Sequence, residues 1–145
     1  MKNKVPELKK DMCLDIGCGE LISKGFDGMD IRDCGQPIVW DCRRGIPYPD
    51  NSIKDIRSAH FLEHLDDDES ADFLREVLRV LKSKGHFWCR VPLEGTPGAC
   101  FFGHKTFWNP YKIESLNRMT EKLEPFTITK NEIAGIELIF TLEKI

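Results

Sequence analysis

An α/β fold with a largely parallel sheet is the class that this sequence predicts, and three observations predict it. Short apolar runs recur through the first sixty residues, and acidic residues sit in or directly after three of them: Asp15, Asp30 and Asp41. One strongly amphipathic helical pattern separates a fourth run from a fifth. The last twenty residues read as two further strands joined by a tight turn, which adds an antiparallel hairpin to the parallel part.

Taken in order, residues 1–10 carry four lysines and a proline and are expected to form a loose arm. Cys13, Leu14 and Ile16 then make a brief buried strand, and Gly17-Cys18-Gly19 lets the backbone turn sharply and bring its amides close to a ligand. A second strand ends at Asp30, only eleven residues beyond Gly19. A crossover helix does not fit in that interval, because a strand-to-strand connection of this kind takes a dozen residues or more.

Pro37-Ile38-Val39-Trp40 forms a third strand that stops at Asp41, and the proline-rich stretch Arg44 to Ser52 is a loop. Ile53 to Ala59 is the fourth strand. Asp66-Asp67-Asp68-Glu69 opens the clearest helix, with Phe73, Leu74, Val77, Leu78 and Leu81 at helical spacing and Gly85 just past its end. His86 to Val91 makes the fifth strand. Gly95 to Asn109 is a long loop dense in glycine and aromatic residues, a kind of segment that is more often functional or disordered than idle. Asn109-Pro110 begins a helix reaching about Met119, and Phe126–Lys130 with Ile136–Leu142 form the hairpin, its turn near Asn131 and Gly135.

Composition narrows the function. A length of 145 residues suits a single domain spanning 1–145. The net charge of −3 provides no basic field for nucleic acid. No apolar run approaches the ~20 residues of a membrane span, and the first residues lack the apolar core of a signal peptide, so a cytoplasmic protein is expected. The cysteines at 13, 18, 34, 42, 89 and 100 show no Cys-x-x-Cys spacing, and reduced thiols without a metal are the expectation.

The carboxyl edge of a parallel sheet is where ligands bind in open α/β folds. An acid after the second strand is placed to accept hydrogen bonds from both hydroxyls of a ribose, while the glycine turn packs against the rest of a nucleoside. At this point the sequence resembles a family. Leu14-Asp15-Ile16-Gly17-Cys18-Gly19, Gly28-Met29-Asp30-Ile31, Trp40-Asp41, Ile46 to Ile53, Phe61-Leu62-Glu63-His64-Leu65 and Leu74 to Gly85 are similar to class I S-adenosylmethionine (SAM)-dependent methyltransferases, in particular the short, methyltransferase type 11-like branch. The similarity runs in order through residues 12 to 92 and fades afterwards.

The resemblance implies a reduced Rossmann-like class I methyltransferase sheet with few covering helices, SAM as cofactor, and methyl transfer to a small-molecule acceptor. It implies that Gly17, Cys18 and Gly19 pass beneath the methionine moiety and ribose, and that Asp15 ties the turn to the amino group. Asp30, followed by Ile31, would hold the ribose hydroxyls. Asp41 and the Cys42 amide would lie near the adenine, with Ser58, Ala59 and His60 bordering the cofactor at the end of the fourth strand. The chain departs from larger relatives in having no room for helices between the first three strands. It also has Glu20-Leu21 where a third motif glycine would stand. A second copy of the chain could supply the missing wall.

The late loop offers Phe102-Gly103-His104-Lys105, which keeps part of a pattern found in short relatives. His104 is thereby a candidate proton acceptor, with Phe101, Phe107 and Trp108 around an acceptor pocket, or alternatively a surface residue beside core aromatics. Other readings compete. His60-Phe61-Leu62-Glu63-His64 matches a zinc-protease pattern, but at a strand-to-helix junction. A nicotinamide-dinucleotide site would need a glycine at position 22, which is Ile22. The non-enzymatic alternative is a module of the same fold that binds SAM, or a protein partner, without catalysis.

Overall fold

The computed structural model describes residues 2–119 and 123–145. Among these, seven strands form one sheet: β1 (Cys13–Ile16), β2 (Asp27–Asp30), β3 (Ile38–Val39), β4 (Ile53–Ala59), β5 (Leu81–Pro92), β6 (Phe126–Ala134) and β7 (Glu137–Lys144). Their order is β3-β2-β1-β4-β5-β7-β6. The first five pair in parallel, and β7 runs antiparallel between β5 and β6. The predicted fold class is therefore the observed one.

Strand register explains how the two faces of the sheet differ. Leu14, Ile56, Phe87 and Leu142 lie side by side across β1, β4, β5 and β7, and all four are buried. Helix α1 (Asp67–Val80) covers this face with Phe73, Leu74, Val77 and Leu78. Ring contacts run from Phe61 to Phe73 at 5.3 Å, then to Phe87 and on to Phe140 at 5.9 Å each. Burying each such side chain contributes about 1.5–3 kcal/mol. The neighbouring row, Asp15, Arg57, Trp88 and Thr141, is polar. In it, Arg57 donates to Asp15 at 3.0 Å and lies 4.7 Å above the Trp88 ring.

Helix α1 starts where the acidic run predicts. The Asp66 carboxylate accepts from the Glu69 amide at 2.8 Å, and the Glu69 carboxylate accepts from the Asp66 amide at 3.0 Å, a reciprocal cap. Its end differs from expectation. Leu81 is extended and opens β5, and Gly85 lies within that strand rather than terminating the helix. Distant residues close the helix instead: the Asn51 and Ser52 amides donate to the Arg79 and Val80 carbonyls. The buried Lys144 ammonium donates to Leu81 O at 2.9 Å and Asn51 Oδ1 at 2.8 Å.

Three other expectations are corrected. The amino-terminal arm is anchored rather than loose, since Lys4 pairs with Val39 in both directions and the Tyr48 hydroxyl donates to Pro6 O at 3.1 Å. The late helix is short: α2 spans Pro110–Glu114, and a tighter 3-10 turn, Ser115–Arg118, follows it. In the hairpin β6 continues past Asn131 to Ala134, and only the region of Gly135 forms the turn. The links after β1 and β2 contain no helix, as their length requires. Gln36, buried in the second link, replaces helical order with side-chain bonds to Arg32 O, Ile38 O and the Cys34 amide.

Candidate functional site

Four parallel strands end at one cavity of about 420 Å³. β1 contributes Ile16 and the adjoining Gly17, and β2 contributes Met29 and Asp30, followed by Ile31 and Arg32. Trp40, Asp41, Cys42 and Arg43 enter after β3, and His60, Phe61, His64 and Leu65 enter after β4. The cavity lies at the carboxyl ends of the strands and spans β1 and β4, the point where strand order reverses, which is the binding crevice of open α/β sheets. Its volume is that of a small-molecule site.

The glycine turn is fastened to β2. The Gly17 and Cys18 amides donate to Met29 O, and the Gly19 amide donates to the Asp30 carboxylate at 2.8 Å. These amides are thus turned toward the protein, not toward a ligand as the sequence suggests. Gly17 has φ +72, and a Cβ there would sit 2.5 Å from the Phe61 ring, so both conformation and space require glycine. Cys18 packs its sulfur into the room left by Gly28. Burial, with the Asp15 and Asp30 charges nearby, pushes the Cys18 thiol up to about 11, which leaves it unreactive at neutral pH.

Asp30 ties two segments of the site together. One oxygen accepts from Gly19, the other from the Arg32 amide at 3.0 Å, and each retains capacity for a further bond. Asp41 caps the 3-10 turn Cys42–Arg44. The Arg43 guanidinium grips both Asp41 oxygens and holds the carboxyl below its ordinary value. Beside it, Trp40 is fixed by an indole bond to Gly45 O at 2.8 Å and by the Arg44 guanidinium 4.8 Å above its ring. Burial pushes the Cys42 thiol up to about 12.

Of the residues singled out from sequence, Gly17, Asp30, Ile31, Asp41, Cys42 and His60 are brought together at the cavity. Asp15, Cys18, Gly19, Ser58 and Ala59 do not line it. Asp15 is buried and accepts from the Ser23 amide and Arg57, both at 3.0 Å, so it organises the turn from behind. Ser58 is buried in β4 with its hydroxyl unpartnered. The sequence alone pointed to no ligand contact for Met29, Arg32, Trp40, Arg43, Phe61, His64 or Leu65. The signal for the last three lay in the Phe61 to Leu65 motif, whose residues turn out to be the cavity wall.

The zinc-protease pattern dissolves in three dimensions. His60 has φ +55 at the end of β4 and pairs with Glu137 at 3.0 Å, and only Leu62–His64 forms a short 3-10 turn. Glu63 is buried with neither carboxylate oxygen bonded. Burial, aided by the Glu137 charge, pushes it up to about 7.

The late loop is clamped to this turn. Lys105 and Thr106 amides donate to Glu63 O, and the Thr106 hydroxyl donates to Leu65 O at 3.1 Å while receiving the Trp108 indole N–H. Trp108 is fully buried, a core residue that does not line the strand-end cavity. The clamp sets the His104 ring perpendicular to that of His64, centroids 4.7 Å apart. His104 itself does not line the cavity.

Residues 30–89 match the family described as a methyltransferase domain. The match begins at Asp30 and leaves the glycine turn outside it. No curated protein matches the sequence. Solved structures share the fold at low identity. A SAM-dependent methyltransferase from Mesorhizobium loti is 15% identical over 97% of this chain and 94% of its own, with a TM-score of 0.66. The Burkholderia thailandensis 1,6-didemethyltoxoflavin-N1-methyltransferase, solved with 1,6-didemethyltoxoflavin and S-adenosylhomocysteine, is 17% identical over 92% of this chain and 70% of its own, at 0.68. Phosphoethanolamine N-methyltransferase 1 of Haemonchus contortus, with phosphoethanolamine and S-adenosylhomocysteine, is 13% identical over 97% of this chain and 40% of its own, at 0.74. Its domain match over residues 30–89 and its strand order give the chain a methyltransferase-like fold.

Proposed function

We propose that the chain is a SAM-dependent methyltransferase that binds its cofactor in the strand-end cavity and methylates a small molecule. The observation that carries this reading is Asp30, a carboxylate on the cavity wall with acceptor capacity to spare beyond Gly19 and Arg32. The residues present fit the cofactor: a diol acceptor at the end of β2, an aromatic plane at Trp40, and apolar surface at Ile31, Met29 and Ile16.

Bound there, SAM supplies a methyl group on a positively charged sulfur. In this reading Asp30 takes the ribose hydroxyls. Trp40, Ile31, Asp41 and Cys42 border the adenine. Gly17, with Cys18 and Gly19 fixed behind it, forms the floor near the methionine moiety, and Asp15 keeps the turn in shape. Ser58, Ala59 and His60 end β4 at the boundary of the site. Methyl transfer needs no covalent enzyme group, and holding donor and acceptor in line supplies much of the acceleration. We further propose that residues 1–145 act as one cytoplasmic domain, and that a second copy covers the open side of the cavity.

Calorimetric titration with SAM and S-adenosylhomocysteine tests the cofactor, and absence of binding by either at millimolar concentration overturns it. Transfer of labelled methyl from SAM into a metabolite extract tests the activity. Binding without transfer favours the alternative, a non-catalytic SAM-binding module.

A further inference from the structure

Three of the chain's histidines gather where the chain leaves β4 at the cavity. His60 and His64 line it, and His104 stands edge-on against His64 at 4.7 Å. The Nδ1 atom of His104 is buried without a hydrogen-bond partner, and the backbone clamp through Lys105 and Thr106 fixes the ring in place. Beyond His104 the surface turns aromatic. Phe101 lies 6.0 Å from the His104 ring and is 63% exposed, and Phe102 beside it is wholly exposed. Phe101 and Phe102 thereby offer apolar surface beside the polar cluster.

We propose that His64 takes up the proton released on methylation, with His104 as its positioning residue, and that the acceptor is a neutral aromatic alcohol received against Phe101. This rests on the SAM-dependent reading above. Burial, with electrostatic contributions from His104 and His60, lowers the His64 pKa, which keeps the imidazole neutral and able to accept. A cationic acceptor is disfavoured here, since the sulfonium would repel it. The step balances. An electron pair of the hydroxyl oxygen forms the O–CH3 bond, the carbon–sulfur bond breaks with its pair left on sulfur, and the hydroxyl proton passes to a His64 ring nitrogen and on to solvent.

The test uses 2-naphthol and its sulfur counterpart 2-naphthalenethiol, which ionises near neutrality and needs little help from a base. His64→Ala lowers methyl transfer to the naphthol by at least about a hundredfold and to the thiol by less than about tenfold, and added imidazole restores part of the naphthol activity. In the wild-type protein with S-adenosylhomocysteine, 2-naphthol moves the His64 and His104 ring resonances. Equal loss for both probes, no loss for either, methylation of neither, or unmoved resonances overturns the inference. Calorimetry separates the two levels. SAM binding that survives in His64→Ala while the probes fail to discriminate sinks only this inference, whereas no SAM binding by the wild type removes the underlying reading and the inference together.

Discussion

The Gly19 amide donates to the Asp30 carboxylate at 2.8 Å, so the acid on the cavity wall also fastens the turn after β1 to the end of β2. Asp30→Ala removes a ligand acceptor and the turn's anchor at once. SAM or S-adenosylhomocysteine affinity is expected to fall by about 1–3 kcal/mol, the cost of leaving polar groups unpaired. Asp30→Asn retains one acceptor oxygen and falls less. Calorimetry on both variants checks this, and unchanged affinity in Asp30→Ala rules out the ribose role.

Gly17→Ala forces a side chain into a left-handed residue and against the Phe61 ring. The conformational part alone costs about 1–2 kcal/mol. A double-mutant cycle with Phe61→Ala in urea unfolding is expected to return a non-zero coupling, because the smaller partner relieves the overlap but not the strain. Strict additivity would show that the two residues do not compete for that space.

Lys144 is buried near the end of the chain, yet it holds the end of α1 through Leu81 O and Asn51. Lys144→Met keeps the stem and deletes the donors. The expected loss is about 1–3 kcal/mol, read from the urea midpoint, with the slope unchanged.

Burial raises Glu63 from 4.5 to about 7, so between those values the folded chain keeps a proton that the unfolded chain has lost. Its contribution therefore lowers stability as pH rises through that window, and the penalty is complete above it. Glu63→Gln is expected to match the wild type near pH 4 and to exceed it at pH 8, by up to about 3 kcal/mol. A difference between the two proteins that does not grow with pH would count against a protonated Glu63.

Much of the sheet was legible because each strand carries its own signal. The runs ending at Asp30 and Ala59 fall within a residue of the observed strand ends, and the short links excluded crossover helices by length alone. What escaped depends on partners far along the chain. Nothing near Leu81 announces that Asn51, Ser52 and Lys144 will end α1 before it. Likewise, two glycines indicate a turn but not the direction of its amides, which Met29 O and Asp30 determine. Phe61 and His64 were visible as a motif, but their place on the cavity wall depends on the chain reversing after β4.

The missing helix after the glycine turn also shapes the field in the cavity. Where a helix begins directly after such a turn, its free amides and aligned peptide dipoles place a partial positive charge at the ligand. Here residues 17–26 hold no helix, and the turn's first three amides are already bonded. Positive potential near the β2 end must then come from side chains such as Arg32, which is largely solvent-exposed. A field made by an exposed, hydrated guanidinium is one that dissolved ions can screen, so recognition of any anionic group at this end weakens with ionic strength.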